Sequence, residues 1–113
     1  MFVRDCCRID DSRLIVRHAC ASELRRLLDE LGIERIDDVV SSLPLAIMDD
    51  DLVERIIVAS ESCLEPHGLF LQYQYSLRQR SVLERCFGVN NVRIGFALVN
   101  LPPAFIYECS LAP

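Results

Sequence analysis

The residues of this chain that could do metal, redox or acid–base chemistry are six cysteines, two histidines and a triplet of aspartates. Their spacing argues against each role. Cys6 and Cys7 are neighbours, Cys20, Cys63, Cys86 and Cys109 stand far apart with no C-x-x-C pair, and His18 and His67 add no spaced partner. Structural zinc sites draw their ligands in close pairs, whereas scattered thiols pack like small hydrophobes. Asp49, Asp50 and Asp51 lack the spaced ligands and the glycine of a calcium loop. They suit the first turn of a helix, where the dipole favours negative charge. No metal site and no catalytic triad are expected. Two proline-containing runs, Ser41-Ser42-Leu43-Pro44-Leu45 and Asn100-Leu101-Pro102-Pro103, stand in connections of the chain.

The elements that must position these runs alternate along the chain. Leu14-Ile15-Val16 follows the turn-like Asp10-Asp11-Ser12 and reads as a short buried strand. Ser22 is placed to cap a helix carrying Leu24, Leu27, Leu28 and Leu31, which Gly32 closes. Residues 36–40 form a second strand, and the Asp49 triplet opens a helix through Leu52, Val53, Ile56, Ile57 and Cys63. Pro66-His67-Gly68 reads as a turn into a strand over 69–75, in which Leu69, Leu71, Tyr73 and Tyr75 alternate with Phe70, Gln72 and Gln74. A short arginine-rich helix through Arg78, Arg80, Leu83, Cys86 and Phe87 ends at Gly88. Two closing strands flank Asn100-Leu101-Pro102-Pro103, since proline cannot donate to a ladder.

This β-α-β-α-β-α-β-β order predicts an α/β fold whose sheet is mainly parallel, with one antiparallel strand in the C-terminal hairpin. The 113 residues suit one domain, 1–113. All twelve basic residues are arginine, against seventeen acids, for a net charge of −5. A basic footprint for nucleic acid is therefore missing. No apolar run reaches the ~20 residues that span a bilayer, and the charged N-terminal residues do not resemble a signal peptide. A soluble, cytoplasmic chain is expected.

Three blocks carry a resemblance. Asp38-Val39-Val40-Ser41-Ser42-Leu43-Pro44-Leu45, Pro66-His67-Gly68-Leu69-Phe70-Leu71-Gln72-Tyr73 and Asn100-Leu101-Pro102-Pro103-Ala104-Phe105-Ile106-Tyr107, in that order, resemble the later half of bacterial phospholipid N-methyltransferases. These belong to the class I S-adenosylmethionine-dependent methyltransferases, whose Rossmann-like sheet has the strand order 3-2-1-4-5-7-6. The resemblance makes Leu14-Ile15-Val16 the third strand, residues 36–40 the fourth, residues 69–75 the fifth and the closing pair the sixth and seventh. It also makes residues 1–9 the tail of the helix after the second strand. The first two strands, with the G-x-G-x-G loop and the ribose-binding acid, have no counterpart here. The third strand is then expected to slide beside the fourth.

The resemblance implies a partial methyltransferase domain. Its acceptor side would be walled by Ser41, Ser42, Leu43, Pro44 and Leu45 and by Asn100, Leu101, Pro102 and Pro103. Equally, the prolines could simply shape turns. His18 and Ala19 stand where relatives hold the adenine of S-adenosylmethionine with an acid; a neutral histidine can accept one hydrogen bond but brings no fixed charge. His18 reads either as an adenine contact or as a polar strand end. The implied activity is methyl transfer to an amine such as a phospholipid headgroup, at the inner membrane surface, by a chain inactive alone. The alternatives are a non-catalytic half-domain acting through self-association or a protein partner, and a relative of nucleic-acid methyltransferases, which also carry a proline-containing loop after the fourth strand but against which the acidic balance counts. The implied partners are a second copy, because one sheet face would lack its helices, or a complementing N-terminal half.

Overall fold

A computed structural model describes residues 10–74, 77–97 and 104–111. Helix α1 (Leu24–Glu30) follows a 3-10 turn at Ala21–Glu23. It stops at Gly32, whose φ is +71°. There the Ile33 N–H donates to the Leu28 carbonyl at 2.8 Å and the Gly32 N–H to that of Asp29 at 3.1 Å. These are the two bonds of a Schellman cap, which a residue without Cβ accommodates. The Arg25 guanidinium secures the same turn by donating to the carbonyls of Ile33 and Glu34, each at 2.6 Å. Ser22 does not cap α1. It lies inside the 3-10 turn, and its hydroxyl donates to Cys20 Sγ at 3.1 Å.

Helix α2 (Asp50–Cys63) begins as the aspartate triplet suggests, with the Asp49 carboxylate accepting the Asp51 N–H at 3.3 Å. Its buried residues, Val53, Ile56, Ile57, Ser60 and Cys63, recur at three- and four-residue steps and make one inward stripe. Helix α3 (Arg80–Phe87) buries Leu83 and Phe87 and ends at Gly88. No helix among the described residues is long and apolar enough to cross a membrane.

The strands are β1 (Ile36–Ser41), β2 (Leu64–Gln74), β3 (Val92–Ala97) and β4 (Ala104–Ser110), in the sheet order β1-β2-β4-β3. β1 and β2 pair in parallel, while β4 is antiparallel to both β2 and β3. Hence β1, β2 and β3 point one way and β4 alone is reversed. This is the 4-5-7-6 part of the order stated above. The hairpin accounts for two of the three strand pairings, so only β1–β2 forms a parallel ladder.

The structure corrects three expectations. Leu14-Ile15-Val16 is not a strand, and nothing pairs with the free edge of β1 among the described residues. Leu14 and Ile15 are 41% and 50% exposed, so this short run buries too little to fix itself in a sheet. Instead Asp11 accepts from the backbone and guanidinium of Arg13, holding a local turn. Pro66-His67-Gly68 is not a turn before β2 but part of it. The pairing register jumps there, from Ile36↔Leu64 to Asp38↔Leu69, so the surplus residues make a bulge. The helix-to-strand change falls earlier, at Leu64. The expected helix tail at 1–9, Tyr75 and the Asn100-Leu101-Pro102-Pro103 connection lie outside the described residues.

The core fills one side of the sheet. Val53 and Ile57 of α2 and Leu83 and Phe87 of α3 pack with Phe70 of β2, Tyr107 and Cys109 of β4, and Leu45 and Leu64. The Phe70 and Phe87 rings stack with centroids 5.7 Å apart. Gly68 permits the close β1–β2 approach at the bulge, since a Cβ there would strike the Asp37 carbonyl and lie 3.1 Å from that of Glu65. Both obstacles are backbone. Gly68→Ala is therefore expected to lower stability by about 2 kcal/mol, read as a shift of the urea midpoint with an unchanged slope.

Candidate functional site

The carboxyl end of β1 is where an open α/β sheet leaves a crevice, and a groove of about 520 Å³ lies there. One wall is the segment before α1, with Arg17, Ala19 and Cys20, continued by Leu24 and Leu27. The other runs from Val39 to Leu43, and the floor is Ile56 and Ser60 of α2 with Phe70 of β2. The groove thus joins Ala19, expected on the cofactor side, to Ser41, Ser42 and Leu43, expected on the acceptor side. His18 is exposed next to Ala19 and is not part of the lining. Pro44 is exposed, and Leu45 turns into the core at 1% exposure, where it anchors the loop. Asn100, Leu101, Pro102 and Pro103 lie outside the described residues.

Three glutamines hold this loop, and the sequence reading did not single them out. Gln72 and Gln74 point to the helix-covered side of β2 and both donate their amides to the Leu43 carbonyl, at 3.0 and 2.8 Å. Gln79, just before α3, donates to the Leu45 carbonyl at 3.4 Å. The Ser41 hydroxyl accepts the Leu43 N–H at 3.3 Å. The carbonyls of Leu43 and Leu45 are therefore engaged by the protein itself, and the hydroxyls of Ser41 and Ser42 are the side-chain polar groups of this wall. Alternating glutamines in a strand were the available signal. Period two alone does not say which face turns inward.

Among the described residues the buried Gln72 and Gln79 oxygens have no partner, a cost of roughly 1–3 kcal/mol each that the amide bonds to the loop offset. Converting Gln72 and Gln74 together to Met leaves the Leu43 carbonyl without these donors. The double variant is expected to lose about 1–3 kcal/mol, and backbone amides of residues 43–45 should exchange hydrogen faster by mass spectrometry.

Cys20, in the lining, titrates below an ordinary thiol. The Ser22 hydroxyl bond favours its thiolate, as does the charge of Arg55, and together they hold its pKa below the ordinary thiol value. Burial acts the other way in the core, pushing Cys86 up and Cys109 up to about 12. Peptide-resolved iodoacetamide labelling should therefore show Cys20 reacting with a pH midpoint below that of free cysteine. Ser22→Ala should move that midpoint upward, and Cys109 should remain unmodified until the chain unfolds. Among the described residues, no group of three or more His, Cys, Asp or Glu side chains could hold a metal ion.

No protein family model matches the chain, and no curated protein matches it in sequence. Among solved structures, the crystal structure of the M1.HpyAVI–SAM complex is similar, with a TM-score of 0.52 at 17% identity. The match covers 85% of this chain and 53% of the other, so the chain spans about half of that protein's length. The likeness is one of fold. The chain has a class I S-adenosylmethionine methyltransferase-like α/β fold, in which one antiparallel strand sits between two strands of the opposite direction.

Proposed function

We propose that this chain is the acceptor-side portion of an S-adenosylmethionine-dependent methyltransferase-like protein, inactive alone, whose groove beside Ser41 and Ser42 receives an amine. The observation that carries this reading is the meeting of Ser41, Ser42 and Leu43 with Ala19 in one groove at the carboxyl end of β1. Leu24, Leu27, Val39 and Phe70 would exclude water from the reacting amine. A serine oxygen can accept an amine N–H and leave the nitrogen lone pair free, so positioning rather than proton transfer is the task of these residues. The phospholipid headgroup as acceptor is supported by the three sequence blocks.

The described lining does not fit the whole cofactor. S-adenosylmethionine carries a sulfonium cation and a ribose diol, yet the only charged group in the groove is the cationic Arg17, and no carboxylate is among its lining residues. We therefore assign the cofactor's polar contacts to a complementing half and derive no step through it here. A second reading, a non-catalytic half-domain acting through a protein partner or self-association, is favoured by one observation. The loop carbonyls that could hold an amine are taken up by Gln72, Gln74 and Gln79.

Isothermal titration of the chain with S-adenosylmethionine tests the assignment. Dissociation weaker than about 100 μM is expected, and low-micromolar binding would overturn it. Nuclear magnetic resonance titration with phosphoethanolamine is expected to shift the amides of Ser41 and Ser42. Unmoved signals would favour the non-catalytic reading.

A further inference from the structure

All three described helices lie on one side of the sheet: α2 and α3 over Phe70, Tyr107 and Cys109, and α1 beside Val39 and Phe70 across the groove. The strand registers place Asp38, Val40, Leu71, Ile106, Glu108 and Arg93 on the other side. Parallel-type strands are ordinarily apolar on both faces and covered on both. Here Val40 is 79% exposed and Ile106 38% exposed, while Leu71 is half-buried between them.

The charges of this face are arranged by edge. Asp38 is on β1, one outer strand, and Arg93 is on β3, the other. Arg93 makes no ion pair in the chain among the described residues, although Glu108 stands opposite it on β4. We propose that two copies of this chain pair through this face, about a two-fold axis that runs along the strands. That axis lays β1 of one copy over β3 of the other. Asp38 then lies within one residue pair of the partner's Arg93, and the contact occurs twice. A two-fold axis across the strands would instead stack β1 on β1 and β3 on β3, bringing acidic edge to acidic edge and basic edge to basic edge, which like charges oppose. An isologous contact of this kind closes on itself and stops at a dimer. Between the charged edges, Val40, Leu71 and Ile106 would leave water, as the inner faces of a β-sandwich do. The proposal deepens the self-association reading, and its test reads mass rather than binding in the groove.

Sedimentation equilibrium at about 100 μM should give twice the 12.9 kDa chain mass. Val40→Lys and Ile106→Arg, both at exposed positions, should each raise the dimer dissociation constant at least about tenfold, close to 1.4 kcal/mol, without changing the circular dichroism of the chain. Arg93→Asp and Asp38→Arg should each weaken self-association, while a mixture of the two should form the heterodimer. If Asp38→Arg fails to fold for want of the Leu69 N–H bond that Asp38 accepts at 3.1 Å, the Val40, Ile106 and Arg93 variants still decide. A monomer at that concentration would overturn the proposal. So would a dimer indifferent to Ile106→Arg, which would indicate pairing through the free strand edges, or an open series of larger species.

Discussion

The constraint on which the rest depends is that all helices among the described residues cover the same face of this sheet. Helices α1, α2 and α3 bring their apolar stripes to the same side, so the core forms between two layers. β4 completes that core from within the sheet. Its antiparallel insertion between β2 and β3 puts Cys109 opposite Phe70 and Tyr107 opposite Gln72, beneath Leu83 and Phe87. Without that register, the largest buried side chain of the molecule, Tyr107, would have no place in the core. The one-sided cover also decides where function can reside. The groove opens where the helix layer parts from the carboxyl end of β1, and Val40 and Ile106 stay exposed on the opposite face.

Within the covered face, the loop after β1 is held by amides rather than by apolar contact alone. Leu45 supplies an apolar anchor, and Gln72, Gln74 and Gln79 bind the neighbouring carbonyls. Hydrogen bonding in a low-dielectric interior is geometrically demanding. It fixes the loop's position while using up two carbonyls that a ligand could otherwise have met. The same residues therefore anchor the loop and leave the hydroxyls of Ser41 and Ser42 as its side-chain polar groups toward the groove. Cys20, on the facing wall, is tied to Ser22 for a comparable local reason: a thiol beside a hydroxyl donor and an arginine is a better anion.

Much of the architecture was legible because local rules and tertiary packing agree. Asp49 before an apolar stripe at helical spacing, Gly32 after Leu31 and Gly88 after Phe87 mark helix ends through side-chain and backbone sterics that act over a few residues. The closing pair of strands was legible because Pro102 and Pro103 interrupt two apolar runs. Leu14-Ile15-Val16 misled because apolarity and length resemble a buried strand, yet a strand needs a partner edge and a place in the core. Pro66-His67-Gly68 misled because turn-forming residues also make bulges. That Ser41, Ser42 and Leu43 line a groove was legible from their place after a strand, whereas Leu45 belongs to the core.

The sequence by itself determined the order of elements from α1 onward, the helix ends at Gly32 and Gly88, the start of α2 at Asp49 and the loop after β1, since periodicity, capping and proline geometry are properties of neighbouring residues. Tertiary structure decided which face of each strand became interior. In β2 the alternation offered Leu69, Leu71 and Tyr73 or Phe70, Gln72 and Gln74, and hydropathy favours burying the first set. The molecule buries Phe70, Gln72 and Gln74 instead. The reason is that α2 and α3 lie on that side, Phe70 meets Phe87, and the glutamine amides find the carbonyls of a loop some thirty residues away. Such partners are brought together only by the fold, and no window of the sequence contains them both.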